Sequence, residues 1–168
     1  VALGYLAGIG DQRIKAATML TAQVDFSEPG DLAVFIDDKQ LDNLDQMMGD
    51  KGYLEGQAMF TTFNMLRAND LIWSFFVNNY LLGKEAKPFD LLHWNSDATR
   101  MPRKMHLFYL RQMYLHNNLV KPGVVELAGV PIDLTKVTVP VYLEACREDH
   151  IAPFRSVFKA RHNFSGPV

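Results

Sequence analysis

Four consecutive titratable residues, Arg147-Glu148-Asp149-His150, directly follow the clearest strand pattern in the sequence, Val137 to Ala145, "VTVPVYLEA". A carboxylate on the loop leaving the carboxyl end of a buried strand is well placed to orient a catalytic imidazole. There it fixes the tautomer and stabilises the charged form of the ring. Asp149 suits that role. It equally suits a helix cap, because Ile151-Ala152-Pro153 opens the next helix, and spacing leaves both readings open. His150 is a poor partner for Asp149, since adjacent residues rarely present their side chains to each other in triad geometry. Glu148 and Asp149 as a carboxylate pair meet the same objection.

Other chemistry is sparse. Cys146 is the single thiol. It lies at a strand end, but no G-x-C-x-G turn surrounds it to expose the sulfur and supply an oxyanion-hole amide. The expectation is a structural Cys that packs as a small hydrophobe. The five His, at 93, 106, 116, 150 and 162, form no H-x-x-x-H pattern, and no C-x-x-C pair exists. No glycine-rich phosphate loop is present, so neither a metal nor a cofactor is expected.

The elements that must position Asp149 divide into three stretches. Val1 to Ala7 reads as a packed helix stopped by Gly8 and Gly10. Ile14 to Phe26 is an apolar run of strand type, ended by Glu28-Pro29-Gly30. From there to Lys121 the pattern is helical. Asp37 or Asp38 caps a helix with Leu41, Leu44, Met47 and Met48. Met59, Phe60, Phe63 and Leu66 share a helical spacing. Asn69 or Asp70 caps an apolar segment that runs to Gly83, and Pro102 opens a helix that Pro122-Gly123 stops. A short hairpin around Gly129 follows. The strand at Val137–Ala145 comes next, expected to begin near Pro140 and to be covered on both faces.

Two strand regions therefore flank roughly a hundred helical residues, far beyond the usual connection of about 2 to 6 residues. The expected organisation is an α/β core piece at 1–27, a helical subdomain at 28–121, and a second core piece at 122–168 that carries Asp149. Sites in open α/β sheets lie at the carboxyl ends of strands, so the insertion is expected to sit over the site as a lid.

Composition bounds the partners. The 168 residues are 48% hydrophobic and 21% charged, with a net charge of -2, as in a globular domain with a real core. The basic residues are scattered, which argues against a nucleic-acid groove. Arg100, Arg103 and Lys104 make a small group expected to be solvated. A lone Cys fits a reducing cytoplasm. No apolar run approaches the roughly 20 residues of a transmembrane helix. The chain has no initiator Met and opens within a helix, which reads as an internal piece of a longer protein. The Met and Phe stripes of the helical region read as core, with an acyl channel or a dimer face as the alternative.

Three long segments carry a resemblance: "GDQRIKAATMLTAQVDFSEPGDLAVFID", "FNMLRANDLIWSFFVNNYLLGKEAKPFDLLHWNSDATRMP" and "PIDLTKVTVPVYLEACREDHIAP". Together they resemble class I polyhydroxyalkanoate synthases, and the likeness runs from the first residue to the last. The resemblance implies a partial α/β-hydrolase core with a mostly parallel sheet and a large helical cap insertion. It implies a cytoplasmic acyltransferase, associated with polyester granules, that polymerises 3-hydroxyacyl groups from coenzyme A thioesters through a Cys-His-Asp site. Only the acid, Asp149 of the R-E-D-H-I motif, falls within this chain. The nucleophile precedes Val1 and the His follows Val168, so the piece alone is expected to be inactive. The resemblance also marks Trp94 and His150 as candidates near the substrate and cap, and implies a homodimer through the cap. An esterase or depolymerase relative with the same core, or an interaction module without activity, are the rival readings.

Overall fold

The structure is a computed structural model that describes residues 1–85 and 99–168. It divides into two compact units. The first comprises Val1–Leu41 with Phe108–Val168, and the second Asp42–Leu107.

The first unit is built on two parallel strands distant in sequence. β1 (Ala17–Leu20) pairs with a second strand at Val141–Glu144 in the register Ala17↔Val141 to Leu20↔Glu144. The Ala17 amide donates to the Pro140 carbonyl at 2.9 Å and the Thr21 amide to the Glu144 carbonyl at 2.8 Å, extending the ladder at both ends. Pro140 thus precedes the strand instead of sitting in it, and its missing N–H costs no ladder bond. On the opposite edge of Val141–Glu144, the Val141 amide donates to the Pro167 carbonyl at 2.8 Å.

Two sequence expectations need correction here. The run from Ile14 to Phe26 yields only four strand residues. Ile14 and Lys15 are exposed, and Thr21 adopts φ +48°, which ends the extended chain. The two strands are also not covered on both faces. Val141 is buried and Ala17, Met19 and Leu143 are half-buried, whereas Leu20 and Tyr142 are 62% and 63% exposed. The covered face alternates with an open one, the period-2 consequence of strand geometry.

Around this sheet α1 (Ala2–Gly8) packs close to Ile132. A Cβ at Gly4 would lie 2.9 Å from the Ile132 side chain, so only glycine permits that approach. The hairpin expected around Gly129 exists but is short. β2 (Glu126–Leu127) pairs antiparallel with β3 (Val130–Pro131), with Ala128 and Gly129 both at positive φ, as a two-residue hairpin turn demands. The strand Val141–Glu144 is therefore β4. The core behind the sheet gathers Val24, Phe26, Met113, Ile132, Val137 and Phe164, among others.

Helices occupy the middle of the chain. α2 (Asp38–Met48) begins at Asp37, whose Oδ1 accepts from the Gln40 amide at 2.8 Å, the expected cap. α3 (Gly56–Leu66) runs on into wide i→i+5 turns at Asn69–Trp73 and Phe76–Leu81. Neither Asn69 nor Asp70 caps this segment. The helical path is nearly continuous there, and Asp70 instead accepts from Arg67 Nε at 3.1 Å. α4 (Arg103–Tyr109) follows Pro102 and continues as wide turns through Leu115. It stops at Asn117, which takes φ +47° and ψ +45°, and not at Pro122-Gly123. Arg103, expected to be solvated, instead binds Asp45 and donates to the Gly49 carbonyl at 3.2 Å. α5 (Phe154–Lys159) follows the loop after β4.

His106 on α4 is 5% exposed, and its Nδ1 has no hydrogen-bond partner among the described residues. Burial lowers its pKa below the ordinary 6.5. The unfolded chain therefore binds a proton that the folded chain refuses as pH falls below about 6.5. Stability is complete above that value and declines as the solution is acidified through it. Urea titrations of this chain at pH 7.5 and 5.5 are expected to show a lower midpoint at pH 5.5, and His106→Leu to reduce the difference. The aspartates held below their ordinary 3.8, such as Asp25 and Asp37, act in a lower pH window. The Val1 amino group, held below its ordinary 8.0 by burial, acts in this one, so the His106→Leu comparison isolates the imidazole. Equal midpoints for the unsubstituted chain would contradict the assignment.

Candidate functional site

The loop leaving β4 turns at once. The Asp149 amide reaches the Cys146 carbonyl at 3.4 Å, and Asp149 Oδ1 accepts from the amides of Ile151 and Ala152, both at 2.8 Å. An Asp that folds back on the backbone amides two and three residues ahead makes a local turn, so the carboxylate is held from its own loop. Asp149 is half-buried, and no hydrogen bond involving Oδ2 is recorded among the described residues. Oδ1 therefore shapes the turn that precedes α5.

Beneath this loop runs the segment that leaves β1, from Gln23 to Asp31. The Asp31 amide donates to the His150 carbonyl at 2.9 Å. Gly30, at φ +75°, sits directly against the same turn. The Ser156 hydroxyl on α5 is fully buried and donates to the Asp25 carbonyl at 2.6 Å, while Gln23 Nε2 donates to that hydroxyl at 3.2 Å. Lys159 Nζ adds bonds to Ser27 Oγ at 2.8 Å and Glu28 Oε1 at 3.0 Å.

An aromatic group packs beside this segment. Tyr114 is 9% exposed, its ring lies 4.8 Å from Phe26 and 5.5 Å from Tyr109, and its hydroxyl donates to Gln23 Oε1 at 3.4 Å. Burial above all, then the neighbouring Tyr109 and the charge of Asp149, push the Tyr114 phenol above its ordinary range. It stays protonated and serves as a donor.

The remaining candidates separate. His150 follows Asp149 in the turn, and its backbone carbonyl accepts from the Asp31 amide. Cys146 is exposed, not buried, which corrects the expectation of a packed hydrophobe. The strand has ended two residues earlier, at Glu144, so no sheet neighbour covers the sulfur. Beside it, Ala145, Arg147, Phe154 and Phe158 line an open recess of about 540 Å³. Trp94 lies outside the described residues. Among those described, no group of three or more His, Cys, Asp or Glu is arranged to hold a metal, and no helix is long and apolar enough to cross a membrane.

Sequence reasoning did not find Gly30, Tyr114, Asn117 or Ser156. Asn117 had a signal, an Asn after the last apolar helical position, where left-handed caps are common. Ser156 had none.

Comparison with known proteins adds the family. No family model matches the chain. The poly(3-hydroxyalkanoate) polymerase of Methylorubrum extorquens is 55% identical over 168 residues, all of this chain and 28% of the relative. The poly(3-hydroxyalkanoate) polymerase subunit PhaC of Rhizobium meliloti is 54% identical over 99% of the chain and 27% of its own length. That of Cupriavidus necator is 40% identical over 94% of the chain and 28% of its own length. The chain thus spans little more than a quarter of these relatives, and across that span it belongs to the poly(3-hydroxyalkanoate) polymerase family.

Proposed function

We propose that this chain is the acid-bearing part of a class I polyhydroxyalkanoate synthase, with Asp149 as the carboxylate of a Cys-His-Asp site. The observation that carries the reading is the half-committed carboxylate. Two backbone amides fix Asp149 Oδ1 at the carboxyl end of β4 and leave Oδ2 for an imidazole. The cysteine and histidine belong to parts of the polymerase outside these 168 residues, so the segment alone is inactive. In the complete site, the imidazole takes the cysteine proton and the thiolate attacks the carbonyl of a 3-hydroxyacyl-CoA. The C–S bond to coenzyme A breaks and free coenzyme A leaves. The imidazolium gives its proton to the departing coenzyme A sulfur. The 3-hydroxyl of one acyl group then attacks the next thioester, its proton passing to the imidazole that Asp149 orients; the C–S bond of that thioester breaks and its sulfur takes the proton back.

The helical unit Asp42–Leu107 is, in this reading, the cap of an α/β-hydrolase core. Its segment through Leu82 exposes Trp73, Phe76, Tyr80 and Leu81, with Phe76 stacked on Tyr80 at 5.1 Å. An apolar surface of that kind supports a homodimer through the cap and attachment to the growing polyester at a cytoplasmic granule.

The test is product analysis with the complete polymerase and 3-hydroxybutyryl-CoA. Release of coenzyme A with formation of polyester is expected, and no release from the 168-residue chain alone. Free 3-hydroxybutyrate as the only acyl product would favour the esterase reading. Coenzyme A release by the isolated chain would refute its incompleteness.

A further inference from the structure

Asn117 is a non-glycine residue in the left-handed conformation, at the point where the helix bearing Tyr114 ends. Such a backbone is uncommon and costs least for Asn and Asp among non-glycine residues, because their short polar side chains can bond locally. Here the amide bonds across 91 residues of sequence instead. Its Oδ1 accepts from the Phe26 amide at 2.8 Å, and its Nδ2 donates to Asp25 Oδ1 at 2.9 Å. The same Asp25 oxygen accepts from the Ser27 amide at 2.8 Å. Burial opposes the Asp25 charge, but the hydrogen bonds from Ser27 and Asn117 and the charge of Lys159 outweigh it and keep Asp25 ionised below its ordinary range.

Asp25 and Phe26 lie in the middle of the segment that supports the acid loop. One residue's carbonyl holds Ser156, at the start of α5, and five residues on, Gly30 and Asp31 meet the backbone of His150 and Ile151. A displacement of Asp25 therefore reaches Asp149 from both sides, through α5 and through the turn itself. Asn117 fixes that segment to the helix whose Tyr114 feels the Asp149 charge.

We infer that Asn117 is a positioning residue for Asp149, acting through its clamp on Asp25 and Phe26. The inference rests on the reading of Asp149 as the catalytic acid. The test is Asn117→Gly in the complete polymerase, with Asp149→Asn in the same assay. Glycine accepts the left-handed backbone and removes only the clamp. The expected result is a roughly 10- to 100-fold fall in kcat/KM, as befits a misplaced catalytic group. It comes with a lower urea midpoint, because the buried Phe26 amide loses its acceptor, but with the variant still fully folded under assay conditions. The acid limb of the pH profile moves to lower pH, because an imidazole less well matched to its carboxylate gives up its proton more readily.

Full activity of Asn117→Gly beside an inactive Asp149→Asn would overturn the inference and leave the acid in place. A loss that only tracks the folded fraction, with an unmoved pH limb, would also overturn it. Activity in Asp149→Asn would remove the reading beneath it. Should the glycine variant fail to fold, Ser156→Ala, which cuts the tie at the Asp25 carbonyl, carries the same expectation of lowered kcat/KM and a displaced limb. An unchanged profile there counts against the proposal.

Discussion

Asp149→Asn in the complete polymerase is expected to lower kcat by roughly 10²- to 10⁴-fold while the protein stays folded, the range found when a triad carboxylate is neutralised. The geometry makes this substitution informative. Asparagine keeps an oxygen where Oδ1 stands, so the bonds from the Ile151 and Ala152 amides survive and the turn into α5 is preserved. What changes is the charge and the second oxygen, which becomes an amide donor and favours the wrong imidazole tautomer. Asp149→Ala also removes the acceptor and leaves two amides without their partner, at about 1–3 kcal/mol each where water cannot replace it. Comparing the two separates chemistry from loop structure. If Asn matches the unsubstituted enzyme and only Ala is impaired, Asp149 is a turn residue and nothing more.

What was legible in the sequence follows a physical division. Features set by local chemistry were readable: the Asp37 cap of α2, the hairpin turn at Ala128-Gly129, and the start of β4 just after Pro140. Family membership was readable too, because long segments such as "REDHIAP" are specific in a way that periodicity is not. Misreadings arose where distant residues decide. The apolar run from Ile14 to Phe26 looks uniform, yet from Gln23 onward its polar groups bond to Ser156 and Asn117, more than 90 residues away, and the strand stops at Leu20. No local pattern encodes that. The burial of Cys146 was misjudged for a similar reason. A residue two places beyond a strand is covered only if a neighbouring element reaches it, and among the described residues none does. The residues that hold Asp149 are therefore the least visible part of the site, since each is ordinary until its distant partner is known.

Gly30→Ala is expected to be the most damaging single substitution in the support of Asp149. Gly30 has φ +75° and ψ -168°, a region essentially confined to glycine. A Cβ there would lie 2.6 Å from the carbonyl oxygens of both His150 and Ile151. Those atoms are backbone, so relief requires moving the turn that carries Asp149. Backbone strain and the clash together are expected to destabilise the complete polymerase by about 3 kcal/mol. Molecules that remain folded should also turn over more slowly, because the displaced turn takes the carboxylate with it. Gly10→Ala is the control. Gly10 has nearly the same φ, +74°, but a Cβ there meets nothing within 4 Å. That variant should lose about 1–2 kcal/mol from the left-handed backbone alone and keep its kcat. Urea midpoints and kcat measured on both variants decide the matter. If Gly30→Ala behaves like Gly10→Ala, the turn yields freely, and the position of Asp149 does not depend on the segment beneath it.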